Sequence, residues 1–147
     1  MLDPSFIGRT YPPTPAYAVD REKIREFAAA VGADDPACHD VESARALGHP
    51  DLVAPPTFAI VLSMRADEQV TSDPDLGLDY GRVVHREQSL THYRAIHAGD
   101  HLTVRVTVVD AKTVAGSDVL VTREDISTTA GEEVCCLRTT LVAGGGS

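Results

Sequence analysis

The chain has 147 residues, of which 13 are Lys or Arg and 22 are Asp or Glu, giving a formal net charge of −9. Its 43% hydrophobic and 24% charged content is that of an ordinary globular domain, which excludes wholesale disorder. The acidic balance argues against a nucleic-acid binder, and the apolar runs fall well short of the ~18 residues that span a bilayer. No secretory signal pattern opens the chain, so we expect one soluble, cytoplasmic domain with no membrane partner.

The number and positions of the cysteines indicate whether disulfides are expected. There are three cysteines, and two of them, Cys135 and Cys136, are adjacent. Neighbouring residues on a strand face opposite sides, so this pair is poorly placed for a structural disulfide. The pattern predicts a reducing compartment and no disulfide framework.

The N-terminal part of the chain predicts an extended segment followed by a helix. Four prolines within residues 1–19 disfavour a helix there, and Asp20 then supplies an N-cap. Apolar residues recur after it with the spacing of one helix face: Ile24, Phe27, Ala28 and Val31. Gly32 ends this helix.

Two further helices are predicted before the strands begin. Residues 33–40 form a polar turn, and Val41 to Leu47 form a short helix that Gly48 closes. Because proline is tolerated only in a first helical turn, the third helix begins near Pro55–Thr57 and runs to Val70. Its first two turns are apolar nearly all round, so we expect a buried helix. Its predicted core residues are Ile60, Val61, Met64 and Val70.

The second half of the chain has the alternating pattern of antiparallel strands. The predicted strands are 82–93, 102–108, 119–126 and 134–142, with hairpin turns at 115–118 and 130–132. A buried helix followed by such a meander is an α+β fold, with an antiparallel sheet wrapped around one central helix. We assign residues 1–143 to this single domain and 144–147 to a flexible tail. An open sheet edge predicts a dimer.

Residues 32–58, GADDPACHDVESARALGHPDLVAPPTF, resemble the signature of the MaoC-like, (R)-specific enoyl-thioester hydratase and dehydratase family. That signature is Gly-Asp-x-Asn-Pro-Leu-His-x-Asp, followed by a helix and by an Ala-His-Gly turn that opens a central helix. The segments 19–32 and 85–108 resemble the family's dehydratase N-terminal type, which includes the non-catalytic subunit of a (3R)-hydroxyacyl-ACP dehydratase heterodimer. The resemblance implies a single hot-dog fold and the reversible hydration of an acyl-CoA or acyl-ACP enoyl thioester, and we expect no cofactor.

The family chemistry needs a carboxylate and an imidazole around one water. When Gly32 and Pro36 are aligned with the motif, the family's catalytic Asp falls on Ala33 and its catalytic His falls on Cys38. The Gly whose backbone N–H polarises the thioester carbonyl falls on Pro56, which has no N–H. Three parts of the machinery are missing together, so the resemblance implies that the chain by itself is a poor hydratase.

A second register remains open. Asp34 and His39 are five positions apart, which is the Asp-to-His spacing of the motif, so a turn shifted by one residue would make them a catalytic dyad. The alternative is that both are solvated turn residues, with Asp34 or Asp35 bonding the local backbone.

The expected substrate-binding residues surround the start of the third helix and a nearby arginine patch. They are Ala54, Pro55, Pro56, Thr57, Ile60, Arg82 and Arg86. Because the net charge repels a polyanionic CoA or an acidic carrier protein, phosphate recognition needs a local patch such as Arg82, Arg86 and Arg94. The histidines lack metal-type spacing, so we expect no metal site.

Three functions follow from these observations. The first is a subunit of a (3R)-hydroxyacyl-thioester dehydratase that shapes the acyl pocket, within a hot-dog dimer whose partner chain supplies the catalytic Asp and His. The second is a self-sufficient homodimeric hydratase that uses Asp34 and His39. The third is a non-catalytic acyl-thioester binding or scaffold protein. A thioesterase is less favoured, because Asp67 and Glu68 come late in the third helix, beyond the expected substrate end.

Overall fold

The computed structural model describes residues 1–144. Its helices are α1 (Arg21–Ala30), α2 (Val41–Ala46) and α3 (Ala59–Thr71). Its strands are β1 (Tyr17–Ala18), β2 (Val83–His92), β3 (His101–Val114), β4 (Ser117–Thr128) and β5 (Glu133–Ala143). Short 3₁₀ turns occupy Pro4–Phe6, Pro36–Cys38, Pro56–Phe58 and Tyr80–Arg82.

The strands form one antiparallel sheet in the order β1-β3-β4-β5-β2, and the sheet curls around α3. The predicted α+β architecture is therefore confirmed. All three predicted helices are present, and Asp20 caps α1 by accepting from the Lys23 amide at 2.7 Å. The β3–β4 hairpin is tighter than predicted, because only Ala115 and Gly116 form its turn, with φ of 51° and 80°.

The core lies between α3 and the inner face of the sheet. On β3 the predicted alternation holds, because Leu102, Val104, Val106 and Val108 are all fully buried. The N-terminal segment also contributes to the core. Leu2 and Phe6 are buried there, although the prolines predict only an extended segment.

The expectation that α3 is buried all round its first turns is wrong for its outer face. Met64 is 61% exposed, and Ile60 and Val61 are only partly buried, whereas Val70 is in the core as predicted. The reason is that the sheet covers only one side of the helix. Apolar residues on the other side are only partly covered within the described part of the chain.

The sheet has an open edge at β2. Within residues 1–144, β2 is the last strand of the sheet and pairs only with β5. No helix of those residues is long and apolar enough to cross a membrane. Most of the predicted tail, residues 145–147, lies outside the described residues.

Candidate functional site

The loop between α1 and α2 is held by its own carboxylates. Asp35 caps the Pro36–Cys38 turn, because its Oδ1 accepts from the Ala37 amide at 3.0 Å. Asp40 caps α2 through the Ser43 amide, also at 3.0 Å. The local bonding considered for Asp35 in the sequence is therefore present, and it fixes the loop as a compact turn.

His39 points back along the same loop. Its Nε2 lies 2.8 Å from the Ala33 carbonyl oxygen, and its own carbonyl accepts from Arg25 Nε at 3.1 Å. A carbonyl oxygen only accepts hydrogen bonds, so Nε2 carries the proton of this bond. Asp34 is exposed, and no hydrogen bond joins it to His39 within residues 1–144. A working dyad of these two residues stays a prediction.

Cys38, at the position of the family's catalytic His, is buried with 5% of its surface exposed. Burial raises the pKa of its thiol, and the nearby charge of Asp35 raises it further. A thiol with a raised pKa remains protonated near neutral pH, and only the thiolate is a competent base or nucleophile. Cys38 therefore cannot replace an imidazole in proton transfer.

The turn that opens α3 is tied to this loop. The Val53 amide donates to the Ala37 carbonyl at 3.0 Å, and the Ala54 amide donates to the Ile96 carbonyl at 2.8 Å. Pro55 and Pro56 follow, and neither has an amide proton. Thr57 therefore supplies the first backbone donor after the two prolines.

His92 is a site residue that the sequence did not single out. Its Nε2 donates to the Pro56 carbonyl at 2.9 Å, and the Cys135 sulfur lies 4.0 Å from the same nitrogen. His92 Nδ1 is buried and has no hydrogen-bond partner among the described residues. The only available signal was its place on the β2 face shared by Gln88 and Leu90, at two-residue spacing.

The predicted arginine patch is smaller than expected. Arg94 makes two hydrogen bonds of 2.9 Å with the buried Asp100 carboxylate and an ion pair of 3.0 Å with Glu132. Its guanidinium is committed to these carboxylates, so Arg94 does not belong to a phosphate-binding patch. Arg82 ends a 3₁₀ turn just before β2, and Arg86 is exposed on β2 itself.

A buried polar cluster lies beneath α3, formed by Asp67, Thr122, Glu124, Thr139 and Gln88. Glu124 is fully buried, and its Oε1 accepts from the Thr122 hydroxyl at 2.6 Å. The Thr139 hydroxyl lies 3.3 Å from Glu124 Oε2 and 3.2 Å from Gln88 Oε1. The sequence missed this cluster because its members come from three strands and one helix.

The Asp67 carboxyl of this cluster is buried beside Glu124. Burial raises the pKa of Asp67 from 3.8 to about 10, and the hydrogen bond and charge of Glu124 act in the same direction. Two carboxyl groups form a hydrogen bond only when one is protonated, so Asp67 holds a proton at neutral pH. Among residues 1–144 no group of three or more His, Cys, Asp or Glu side chains is arranged to hold a metal ion.

The sequence matches known families over most of its length. A model of the FAS1-like dehydratase domain region matches residues 5–137. A UPF0336 protein of Saccharopolyspora erythraea is 56% identical, with 98% of this chain and 92% of that protein covered. A UPF0336 protein of Streptomyces griseus is 55% identical, with 97% of this chain and 95% of that protein covered.

Solved structures give the same result. The C-terminally truncated HadBC (3R-hydroxyacyl-ACP dehydratase) complex of Mycobacterium tuberculosis contains a chain that is 33% identical, with a TM-score of 0.84 over 94% of this chain and 97% of that one. A MaoC-like dehydratase is 32% identical, with a TM-score of 0.88 over 97% of this chain and 43% of that one. The resemblance to MaoC-like dehydratases and the hot-dog fold are confirmed.

Proposed function

Since this chain belongs to the FAS1-like dehydratase domain region family, we propose that it is one subunit of a (3R)-hydroxyacyl-thioester dehydratase. In this proposal the chain shapes the acyl pocket, and a MaoC-type partner chain supplies the catalytic Asp and His. The substrate is an acyl-CoA or acyl-ACP thioester.

The observation that carries the proposal is the chemistry of three positions in an otherwise intact site. The loop and the opening turn of α3 are joined through Val53 and Ala37. At the motif positions, however, Ala33 offers only a methyl group, Cys38 a protonated thiol and Pro56 a ring nitrogen without a proton. None of these groups can move a proton at neutral pH or polarise a carbonyl.

The unpaired edge of β2 supports the assignment of the missing groups to a partner. An exposed row of backbone donors and acceptors favours pairing with another strand. The HadBC structure, to which this chain is similar, is a complex of a (3R)-hydroxyacyl-ACP dehydratase. In the proposed complex the partner's imidazole takes the proton from C2, the C2=C3 double bond forms as the C3–O bond breaks, and the partner's carboxyl group gives the departing hydroxyl the proton that makes it water.

The test compares the purified chain with a reconstituted complex, using hydration of crotonyl-CoA as the assay. We expect no turnover by the chain alone and clear turnover when a MaoC-type partner with an intact Asp-x-Asn-Pro-x-His motif is added. The partner alone, and the complex whose partner carries Ala in place of the motif His, are the controls. Robust turnover by the lone chain would overturn the proposal.

A second candidate, a homodimeric hydratase, is favoured by one contact. The His39 ring makes a hydrogen bond to the carbonyl of Ala33, which is the position of the family's catalytic Asp. If the lone chain turns over crotonyl-CoA, His39→Ala should abolish the activity, whereas His101→Ala, on an exposed position of β3, should leave it unchanged. An unaffected rate in His39→Ala would remove this candidate.

A further inference from the structure

The inner face of β2 is only partly covered by the rest of the molecule. Its three inward residues, His92, Leu90 and Gln88, are each half-buried. The β5 residues paired with them, Cys135, Leu137 and Thr139, are buried. The inner face of β5 is therefore covered, whereas a strip along β2 is only partly covered.

The helix α3 has two flanks, and the groove on one of them indicates which flank lies toward this strip. The groove beside the N-terminal segment is lined by Leu62, Arg65 and Gln69, and that segment leads into β1 at the far edge of the sheet. Residues spaced by three and four positions share a helix face, so Ile60, Met64 and Asp67 form the opposite flank. Asp67 lies within 3.4 Å of Thr122 on β4, on the sheet side of this flank.

We define the side slot as the space between this flank and the inner face of β2. Its walls are apolar and consist of Ile60, Met64 and Leu90. It begins beside the turn that opens α3, where His92 holds the Pro56 carbonyl. This turn is where the resemblance to the family locates the thioester, so the slot leads away from the substrate's reactive end.

The polar cluster closes the other end of the side slot. The strand register aligns Leu90 with Leu137 and Glu124, and it aligns Gln88 with Thr139 and Thr122. Gln88 reaches Thr139, Thr139 reaches Glu124, and Asp67 completes the line from the helix. The apolar walls thus end at a row of hydrogen-bonded polar groups.

The length of the side slot follows from the geometry of β2. His92 and Gln88 are four residues apart, or about 13 Å at ~3.3 Å per strand residue. An extended polypeptide advances ~3.5 Å for each three backbone bonds, or about 1.2 Å per bond. An extended acyl chain therefore reaches the polar cluster after roughly ten bonds at most.

An acyl chain longer than this would have to disrupt the hydrogen bonds of the polar cluster. Every added methylene buried against apolar walls strengthens binding by about fourfold. A methylene pushed among these polar groups gains no such contact and leaves a buried donor or acceptor without a partner, which is strongly unfavourable.

We propose that Asp67 and Glu124, linked to Gln88 through Thr139, set the upper limit of the acyl chain that this subunit accepts, so that its substrates are short- and medium-chain acyl thioesters. This inference rests on the proposed function, because it needs the chain to shape the acyl pocket. The occupant of the side slot is the acyl chain of the thioester.

The first test measures kcat/KM of the reconstituted complex for trans-2-enoyl-CoA substrates of four to sixteen carbons. We expect kcat/KM to rise about fourfold per added carbon up to roughly ten carbons, and then to fall by about tenfold or more by sixteen carbons. Equal activity on all lengths would overturn the limit while leaving the proposed function intact. An absence of turnover at every length would instead contradict the proposed function.

The second test changes a wall of the side slot without disturbing the core. Met64 is 61% exposed, so Met64→Glu should fold normally while placing a charge beside the acyl chain. We expect it to lower kcat/KM about tenfold for an eight-carbon substrate and much less for a four-carbon one. Val114→Glu, at an exposed position beside the β3–β4 turn, is the matched control and should change neither value.

The third test removes the polar limit itself. The double variant Asp67→Ala/Glu124→Met should extend the range of efficient substrates beyond ten carbons, while Asp67→Asn, which keeps a polar group of the same size, should not. An unshifted range in a folded double variant would contradict the inference. If the double variant does not fold, the wild-type series and the Met64→Glu variant decide the question.

Discussion

Asp67 lies late in α3, where the sequence marks it only as a polar residue beyond the expected substrate end, yet its carboxyl is buried against Glu124. Helix periodicity places the residue at the border of the buried face, since its neighbours Ser63, Ala66 and Val70 are buried. The sequence does not reveal that Glu124, on the inner face of β4, lies opposite it. The meeting of the two acids is a residue-scale property with consequences for stability.

The buried acid pair predicts that stability falls as pH rises. Asp67 has a pKa of 3.8 when exposed and about 10 when folded, so the folded state keeps a proton that the unfolded state has lost between these values. Each pH unit in this range lowers the free energy of unfolding by up to about 1.4 kcal/mol. Urea unfolding between pH 5 and 9 measures this slope, and Asp67→Asn should flatten it and be the more stable protein at pH 8.

A surface carboxylate provides the control for this prediction. Asp110 pairs with Lys112 near the surface of β3, and Asp110→Asn should leave the slope unchanged. A wild-type protein whose unfolding free energy is level or rising between pH 5 and 9 would contradict a raised pKa of Asp67 in the folded state.

At the scale of single elements, the β3–β4 hairpin stores strain in its turn. Ala115 has a φ of 51°, a left-handed conformation that costs a residue with a Cβ roughly 1–2 kcal/mol, while the following Gly116 adopts φ of 80° without that cost. Two-residue turns of this kind favour Asn followed by Gly, because Asn tolerates the left-handed region.

Ala115→Asn should therefore stabilise the protein by about 1 kcal/mol. Chemical unfolding monitored by circular dichroism measures the change. Ala130→Asn, in the turn between β4 and β5, is the matched control, because Ala130 has no positive φ to relieve. An Ala115→Asn protein no more stable than the control would show that the turn carries no such strain.

The third helix shows how an element's surroundings alter its character. Apolar residues on all sides of its first turns predict full burial, but the curled sheet reaches only one side. Ile60 and Met64 are left on a flank that nothing else within residues 1–144 covers completely. The same apolar pattern that predicts core packing here forms a wall of the side slot.

At the scale of the whole molecule, the sheet ends in two unlike edges. β1 has two residues, whereas β2 has ten and is the longer unpaired edge within the described chain. A long open edge favours pairing with another chain. We expect the catalytic partner, or a second copy in its absence, to pair along β2.

Hydrogen exchange can locate this pairing. Addition of the partner should slow amide exchange in residues 83–92, and the opposite edge at residues 17–18 should serve as an internal reference with unchanged exchange. Light scattering should give the purified chain a mass twice its own 15.7 kDa. Protection that increases at β1 and not at β2 would show that the chains associate elsewhere.

Local patterns in the sequence were sufficient to predict the helices and strands of this protein. Asp20, the apolar spacing of α1 and the alternation of β3 depend on neighbours within a few residues. These predictions hold because hydrogen bonds of helices and strands repeat over short sequence distances. The loss of catalytic groups at Ala33, Cys38 and Pro56 is also inferred from a local motif, and it stays a prediction.

Only the tertiary structure decided which side chains meet. In the folded chain His92 of β2 donates a hydrogen bond to the turn that opens α3, and Arg94 binds the Asp100 carboxylate. Asp67, Glu124 and Gln88 lie in one buried cluster. Each of these contacts depends on how the sheet curls and in which register its strands pair, and no local periodicity encodes that register. The sequence determined that this chain has a dehydratase fold, whereas the packing of α3 on the sheet decided which side chains border the proposed side slot.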